Sequence, residues 1–245
     1  MVIDYDHSKN IHTLSGPRSA LRQLLSTEMP KSMLDVGCGT GTWLRVALDL
    51  GVTDVFGIDG VDVPSQTLLV NPMCFQRRDL TAPVDLGRKF DVVLCLEVAE
   101  HLDAEFGPVL IEALTRHSNR VLFSAACPGQ PGQHHVNCQW PQYWQELFNQ
   151  QGFVCDDSLR WQIWSERAVE PWYRQNLFSA FKDKSKAGKE ARILSVIHPE
   201  MNGWMFPEVE RFAAHVRHIE NGYMPVKWYF EVPVIGLASK IKRHV

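Results

Sequence analysis

The chain has 245 residues, of which 45% are hydrophobic and 22% are charged, so it is long enough to bury one sizeable core. Its formal net charge at pH 7 is −3, which disfavours nucleic acid as a partner. No apolar run approaches the ~18 residues of a membrane span, and we expect neither a membrane partner nor a signal peptide. The six cysteines include no C-x-x-C pair, which is typical of reduced thiols and indicates a cytoplasmic protein.

An apolar strand, a glycine-dense turn and a helix follow one another over residues 32–50. The strand carries an acid near its end, Asp35, and three glycines then allow positive φ and a close approach of a ligand: Gly37, Gly39 and Gly41. The helix predicted over 42–50 points its free N–H groups at this turn. A dinucleotide fingerprint fits poorly because Thr42 replaces its third glycine, and a phosphate loop would need a lysine.

Four more apolar segments predict strands, and two of them are followed by acids. The segment 55–59 ends at Asp59, where one carboxylate can accept from both hydroxyls of a ribose. A third strand, beginning near residue 73, is closed by Asp79 and Leu80. Residues 90–96 and 119–125 predict the fourth and fifth strands. Five β–α units in sequence favour a doubly wound sheet with right-handed crossovers.

The D-x-G-x-G-x-G turn and the acids after it resemble the class I S-adenosylmethionine-dependent methyltransferases, and the resemblance covers about residues 30–180. It implies an α/β, Rossmann-like, doubly wound sheet of seven strands with an N-terminal helix and a C-terminal extension. It also implies that S-adenosylmethionine is the cofactor. The three glycines would admit its methionine moiety and Asp35 would orient the charged end, while Asp59 would hold the ribose. Asp79 and Leu80 would lie at the adenine.

Residues 97–102 resemble the E-x-x-E-H signature of a methyltransferase-23 or UbiG-like subset, which includes quinone-pathway O-methyltransferases and small-RNA 2′-O-methyltransferases. In several such relatives these side chains contribute to a divalent metal site. Positions i, i+3 and i+4 share one face of a helical turn, so we expect Glu97, Glu100 and His101 to converge. Such ligands suit Mg²⁺, Mn²⁺ or Zn²⁺. The alternative is that Glu97 lines the substrate side of the cofactor site and His101 is a base or a wall residue.

A proline- and glycine-rich loop over 127–137 follows the fifth strand. Ligands bind near such loops in parallel sheets, so His134, His135 and Asn137 are expected to face the acceptor. If a metal binds, His135 joins Glu97, Glu100 and His101 as a ligand. Without a metal, His135 is the general base. A third alternative is that these side chains only satisfy carbonyls of the loop.

The sequence therefore predicts a methyltransferase that acts on a small molecule, with a hydroxyl favoured as acceptor and with His101, His135 and Glu97 as catalytic residues. A 3′-terminal RNA 2′-O-methyltransferase is the main alternative, and the acidic balance disfavours it. A small-molecule N-methyltransferase and a non-catalytic cofactor-binding protein also stay open, because fold does not settle function.

The ends of the chain are expected to select the acceptor. We predict an N-terminal helical lid over 1–30 that includes Tyr5, His7 and His12, and a cofactor-binding domain over 31–182. Helices are expected over 16–27, 140–151 and 207–219, and two further strands near 153–155 and 176–181. In the helix over 140–151 the side chains of Trp144, Leu147 and Phe148 are expected to point inward. The aromatic residues of 159–174 are interpreted as an acceptor pocket or as ordinary core. The extension over 183–245, with an apolar stretch at 228–238, would pack on the domain or on a partner in a homodimer.

Overall fold

The computed structural model describes residues 5–7, 13–26 and 28–228. By their contacts these belong to two compact units that divide between Met201 and Asn202. His12, the basic end at 240–244 and nearly all of the apolar stretch at 228–238 lie outside the described residues. The three-part division predicted from the sequence, at 30/31 and 182/183, stays a prediction.

A seven-stranded sheet forms the centre of the first unit, in the order β3-β2-β1-β4-β5-β7-β6. The first five strands are parallel, whereas β7 runs antiparallel to both β5 and β6. This confirms the predicted α/β, doubly wound, seven-stranded fold. The strands are β1 (Ser32–Val36), β2 (Asp54–Asp59), β3 (Phe75–Arg77), β4 (Val92–Leu96), β5 (Arg120–Ser124), β6 (Phe153–Asp156) and β7 (Phe178–Lys182).

Helices cover the sheet and make up the described part of the second unit. In the first unit they are α1 (Ser15–Leu24), α2 (Thr42–Leu50), α3 (Gly107–His117), α4 (Pro141–Gln150), α5 (Ser158–Ile163) and α6 (Pro171–Asn176). In the second unit they are α7 (Asn202–Met205) and α8 (Pro207–Glu220). Within residues 5–7, 13–26 and 28–228, no helix is long and apolar enough to cross a membrane.

The prediction of five β–α units in sequence was wrong. Residues 60–91 are described throughout and contain no α-helix, only short 3₁₀ turns at Ser65–Thr67 and Pro72–Cys74. Pro72 has no N–H to give to a strand, and the Asn71 side chain accepts from the N–H of Met73, at 2.9 Å. The third strand therefore begins only at Phe75, and Asp79 lies in the loop after it.

Apolar side chains fill both faces of the sheet. Along β4, Val93 and Cys95 point into one core cluster, and Leu94 points into the other. Trp144 and Phe148 of α4 are buried against the first face, as predicted. The strand order reverses between the neighbouring strands β1 and β4. In open α/β sheets such a reversal leaves a crevice beyond the carboxyl ends of the two strands, and ligands bind there. The predicted site residues gather at this edge.

Candidate active site

The glycine turn connects β1 to α2 as the sequence predicted. Gly37, Gly39 and Gly41 all have positive φ, at 79°, 51° and 81°. The N–H groups of Gly37 and Cys38 donate to the carbonyl of Ile58 in β2, at 2.8 and 3.1 Å. These bonds hold the turn against the neighbouring strand and leave a backbone-lined concavity at the start of α2.

Gly37 also marks a close approach between the turn and the segment after β4. A Cβ added there would lie 2.3 Å from a methyl carbon of Val98, which is much closer than side chains pack. The glycine is therefore required both by its backbone conformation and by its neighbour. The turn and the E-x-x-E-H segment are in direct contact through this position.

Asp59 organises the glycine turn, a role that the sequence did not reveal. Its Oδ2 accepts from the N–H of Gly39 at 2.8 Å, and its Oδ1 accepts from the N–H of Val61 at 3.0 Å. The Nε2 of His7 lies 3.6 Å from the same Oδ2. Each carboxylate oxygen has a second lone pair, so a ribose hydroxyl can still donate to this group. Ribose binding by Asp59 stays a prediction.

Asp35 is almost fully buried within β1. Burial and, to a smaller extent, the nearby charge of Asp59 together raise the pKa of its carboxyl from 3.8 to about 8. A cationic ligand beside this carboxyl would favour its ionised form. The role of Asp35 at the charged end of the cofactor stays a prediction.

Asp79 is exposed in the loop after β3, next in the chain to the buried Leu80. Its Oδ1 accepts from both the N–H and the hydroxyl of Thr81, at 2.9 and 2.6 Å, and these bonds lower the pKa of the carboxyl. The loop conformation is thus fixed by Asp79 itself. Adenine contacts of Asp79 and Leu80 stay predictions.

The helical face predicted for the E-x-x-E-H segment was wrong at its first position. Glu97 has φ +55° and only Ala99–His101 form a 3₁₀ turn, so Glu97 precedes the turn and does not share its face. The backbone at Glu97 is held by a residue 27 positions away in the chain. The N–H of Glu97 donates to the carbonyl of Ser124, at 3.0 Å. A left-handed glutamate cannot be recognised from sequence spacing.

The Glu97 carboxylate is held by two side-chain amides. Gln130 Nε2 donates to Oε2 at 2.7 Å, and Asn176 Nδ2 donates to Oε1 at 3.2 Å and to the Oε1 of Gln130 at 2.9 Å. Burial raises the pKa of Glu97, and the hydrogen bonds from Ser124, Asn176 and Gln130 oppose that shift. Sequence reasoning missed Asn176, which follows the last aromatic segment and carries no recognisable motif.

Glu100 is fully buried, and among the described residues no side chain forms a hydrogen bond with its carboxylate, which has the backbone N–H groups of Glu100 and Ala126 beside it. Burial raises its pKa well above the usual range, and the charge of Glu97 adds to the shift. Its backbone carbonyl accepts from the N–H groups of Val136 and Asn137, at 2.9 and 3.0 Å. These bonds bring the 127–137 loop against the E-x-x-E-H segment.

The two histidine rings lie 5.1 Å apart, and each has a backbone carbonyl at its Nδ1. His135 Nδ1 is 2.9 Å from the carbonyl of Gln130, and His101 Nδ1 is 3.3 Å from that of His134. Because a carbonyl can only accept, both Nδ1 atoms carry a proton and both Nε2 atoms keep a lone pair. Burial lowers both pKa values, that of His101 to about 4, so the rings are neutral near pH 7.

Glu100, His101 and His135 each offer one ligand atom, and the three atoms lie within 4.8 Å of one another. A buried carboxylate without a side-chain hydrogen-bond partner, beside two neutral imidazoles, fits a divalent cation. Glu97 does not belong to this group, because its carboxylate is turned toward Gln130 and Asn176. The structure therefore brings together three of the four predicted ligands.

The aromatic residues of 159–174 separate into two places. Trp164 packs on Trp161 and on His198, at ring distances of 4.9 and 4.5 Å, and Trp161 is 44% exposed. Tyr173 lies beside α2, where its hydroxyl accepts from Trp43 Nε1 at 3.4 Å. These rings thus do not form one continuous pocket wall.

A family profile described as "Methyltransferase domain" matches residues 11–174 of this chain. The chain belongs to this family. It is therefore an S-adenosylmethionine-dependent methyltransferase, as the glycine turn and the seven-stranded sheet indicate. The narrower UbiG-like resemblance stays a prediction.

Several solved structures share the fold. A magnesium protoporphyrin IX methyltransferase from Synechocystis PCC 6803 with bound SAH is 18% identical, with a TM-score of 0.51 over 69% of this chain and 83% of that one. The sugar N-methyltransferase KedS8 from Streptoalloteichus sp. ATCC 53650 is 17% identical, with a TM-score of 0.52 over 72% and 89%. DesVI from Streptomyces venezuelae is 14% identical, with a TM-score of 0.52 over 70% and 92%. No curated protein matches the chain.

Proposed function

We propose that this methyltransferase transfers a methyl group to a hydroxyl of a small-molecule acceptor. The observation that carries the proposal is the group formed by Glu100, His101 and His135, whose ligand atoms lie within 4.8 Å of one another. Methyl transfer from a sulfonium is an in-line displacement, so positioning of the acceptor supplies much of the catalysis. A hydroxyl must also lose its proton, and a base or a cation at this group could remove it.

On the cofactor side, the proposed roles follow the sequence predictions. The turn formed by Gly37, Gly39 and Gly41 would admit the methionine moiety, with Asp35 at its charged end. Asp59 would hold the ribose, and Asp79 and Leu80 would contact the adenine. Burial and the charge of Asp59 raise the pKa of Asp35, and no cation is among the causes of the shift. The positively charged end of the cofactor would supply a cation beside this buried carboxyl, which supports its place in this scheme.

Glu100, His101 and His135 would hold a divalent cation, Mg²⁺, Mn²⁺ or Zn²⁺, which would lower the pKa of a bound hydroxyl. Without the cation, His135 would be the general base, because its Nδ1 proton is fixed on a carbonyl and its Nε2 lone pair is available. Glu97 would then bind the acceptor hydroxyl or orient it. Both schemes use His135, and they differ in their response to a chelator.

A small acceptor is preferred over RNA because the net charge of −3 gives no general attraction for a polyanion. Two of the structural neighbours are named for a porphyrin and a sugar as acceptors. Their low identity shows the shared fold alone. The acceptor class of this chain is therefore proposed from its own site.

The test is transfer of tritium from labelled S-adenosylmethionine to matched acceptors: phenols and sugars, their amino analogues, and an RNA oligonucleotide with a free 3′ end. We expect transfer to hydroxyl compounds. The Glu100→Gln and His135→Ala substitutions should each lower turnover about 100-fold or more, whereas the exposed control Glu105→Gln should not. S-adenosylhomocysteine binding should survive in all three variants.

The chelator separates the two schemes. If EDTA abolishes transfer and added Mg²⁺, Mn²⁺ or Zn²⁺ restores it, a cation acts at the site. If EDTA has no effect but His135→Ala removes activity, His135 is the base. Transfer to amines or to RNA alone would contradict the proposed acceptor class.

A further inference from the structure

The Tyr5–His7 segment is joined to the 127–137 loop by one side chain. The Asp6 N–H donates to Gln133 Oε1 at 3.2 Å, and Gln133 Nε2 donates to the Asp6 carbonyl at 3.1 Å. The amide of Gln133 thus pairs with both backbone groups of Asp6, in the way that a neighbouring strand would. The two residues are separated by 127 positions, so this pairing is purely tertiary.

The residues on either side of Asp6 reach opposite parts of the site. The Tyr5 ring contacts His101 edge-on at 4.8 Å, and it contacts the His7 ring at 5.1 Å. His7 Nε2 lies 3.6 Å from Asp59 Oδ2, the same oxygen that accepts from Gly39. The segment therefore extends from the histidine pair of the acceptor side to the carboxylate that organises the glycine turn.

We propose that Gln133 is a positioning residue that clamps the Tyr5–His7 segment over the cofactor site and so slows cofactor release. The proposal rests on S-adenosylmethionine binding at the glycine turn. A ligand held between the turn and this segment can leave only when the segment moves, and that movement breaks both hydrogen bonds of Gln133. Gln133 belongs to the 127–137 loop, which also carries His135. The clamp therefore links the glycine turn to the histidine pair.

The experiment measures how fast tritiated S-adenosylmethionine leaves the full-length protein after unlabelled S-adenosylhomocysteine is added in excess. In Gln133→Ala, dissociation should be about tenfold faster, the scale expected for two lost hydrogen bonds. Gln133→Glu keeps the acceptor for the Asp6 N–H but loses the donor, and its rate should lie between those of Gln133→Ala and the parent. Tyr5→Ala should also release the cofactor faster, and combining it with Gln133→Ala should add little.

Gln139→Ala is the matched control, because this glutamine lies in the adjoining segment and its side chain donates to Asn137 at 3.1 Å. Its dissociation rate should equal that of the parent. Equal rates in Gln133→Ala and the parent would overturn the clamp, and so would equal acceleration in Gln133→Ala and Gln139→Ala. If Gln133→Ala does not fold, the dissociation rates of Gln133→Glu and Tyr5→Ala test the clamp in its place. A parent protein that binds neither nucleoside would instead overturn the cofactor site on which the clamp depends.

Discussion

The predicted cofactor side and the predicted acceptor side of the site are built in different ways. The cofactor side is a continuous turn, Gly37–Gly41, whose shape is fixed by backbone bonds to the neighbouring strand and by Asp59. The acceptor side is assembled from side chains that are distant in sequence. Glu97 is held by Asn176, which is 79 residues away, and His135 by the carbonyl of Gln130. Rigid backbone thus defines one half of the site, and adjustable side chains define the other.

This difference predicts how each half responds to an added methyl group. A Cβ at Gly37 meets a branched, buried side chain, and the backbone there has positive φ. The three atoms nearest to a Cβ at Gly132 all belong to the ring of His135, a side chain that can rotate away. The first change should damage the fold as well as cofactor binding. The second should damage only chemistry on the acceptor side.

The largest effect is expected for Gly37→Ala. The clash with Val98 and the strained φ together should lower the free energy of unfolding by roughly 3 kcal/mol or more and abolish measurable cofactor binding. Gly51→Ala is the control: it also has positive φ, at 112°, but nothing lies within 4 Å of its added Cβ. It should cost about 1 kcal/mol and leave binding intact. Denaturant titration measures the stability of the two variants, and calorimetry with S-adenosylhomocysteine measures their cofactor binding. Equal losses of stability in Gly37→Ala and Gly51→Ala would contradict the close contact with Val98.

Asp35→Asn should stabilise the cofactor-free protein at alkaline pH. The folded-state pKa of Asp35 is about 8, above the ordinary 3.8, so ionisation costs free energy of folding. Stability is therefore greatest where Asp35 is protonated in both states, and it falls as pH rises toward 8. Asparagine removes this dependence, so between about pH 5 and pH 8 the free energy of unfolding of the variant should rise relative to that of the parent by an amount on the order of 4 kcal/mol. Urea titrations at about pH 5 and pH 8 test this.

The same variant should bind S-adenosylmethionine more weakly, since the carboxylate charge is lost. A variant that is more stable at high pH but binds the cofactor as well as the parent would place Asp35 outside the cofactor site. A variant with no gain in stability would mean that the buried carboxyl has a partner in solution.

The smallest effect on stability is expected for Gly132→Ala. Its Cβ would lie 2.0 Å from His135 Nε2, so the ring must move, but the backbone does not require glycine. The free energy of unfolding should change by less than about 1 kcal/mol, and S-adenosylhomocysteine should bind as before. Methyl transfer to the hydroxyl acceptor should fall about as much as in His135→Ala. Unchanged transfer would show that the position of this ring does not matter for the reaction.

Much of the sheet was predictable because buried parallel strands are continuous apolar runs. The helix over Thr42–Leu50 and the inward side chains of α4 agree with the predictions. The missing helices between β2 and β4 were not predictable in the same way, since an acid at a strand end does not reveal what connects it to the next strand. β3 is short because Pro72 and the Asn71 cap form a 3₁₀ turn immediately before it, and both residues are visible in the sequence.

The sequence by itself determined the family, the glycine turn and the identity of most polar groups at the site. It could do so because glycine is the residue that readily adopts positive φ, so the three alternating glycines Gly37, Gly39 and Gly41 mark the turn in the sequence itself. Only the tertiary structure decided how the acceptor side is arranged. The left-handed φ of Glu97, its capture by Gln130 and Asn176, and the pairing of Gln133 with Asp6 arise from contacts between distant segments. Such contacts depend on how the loops pack at the sheet edge, and no local pattern encodes them.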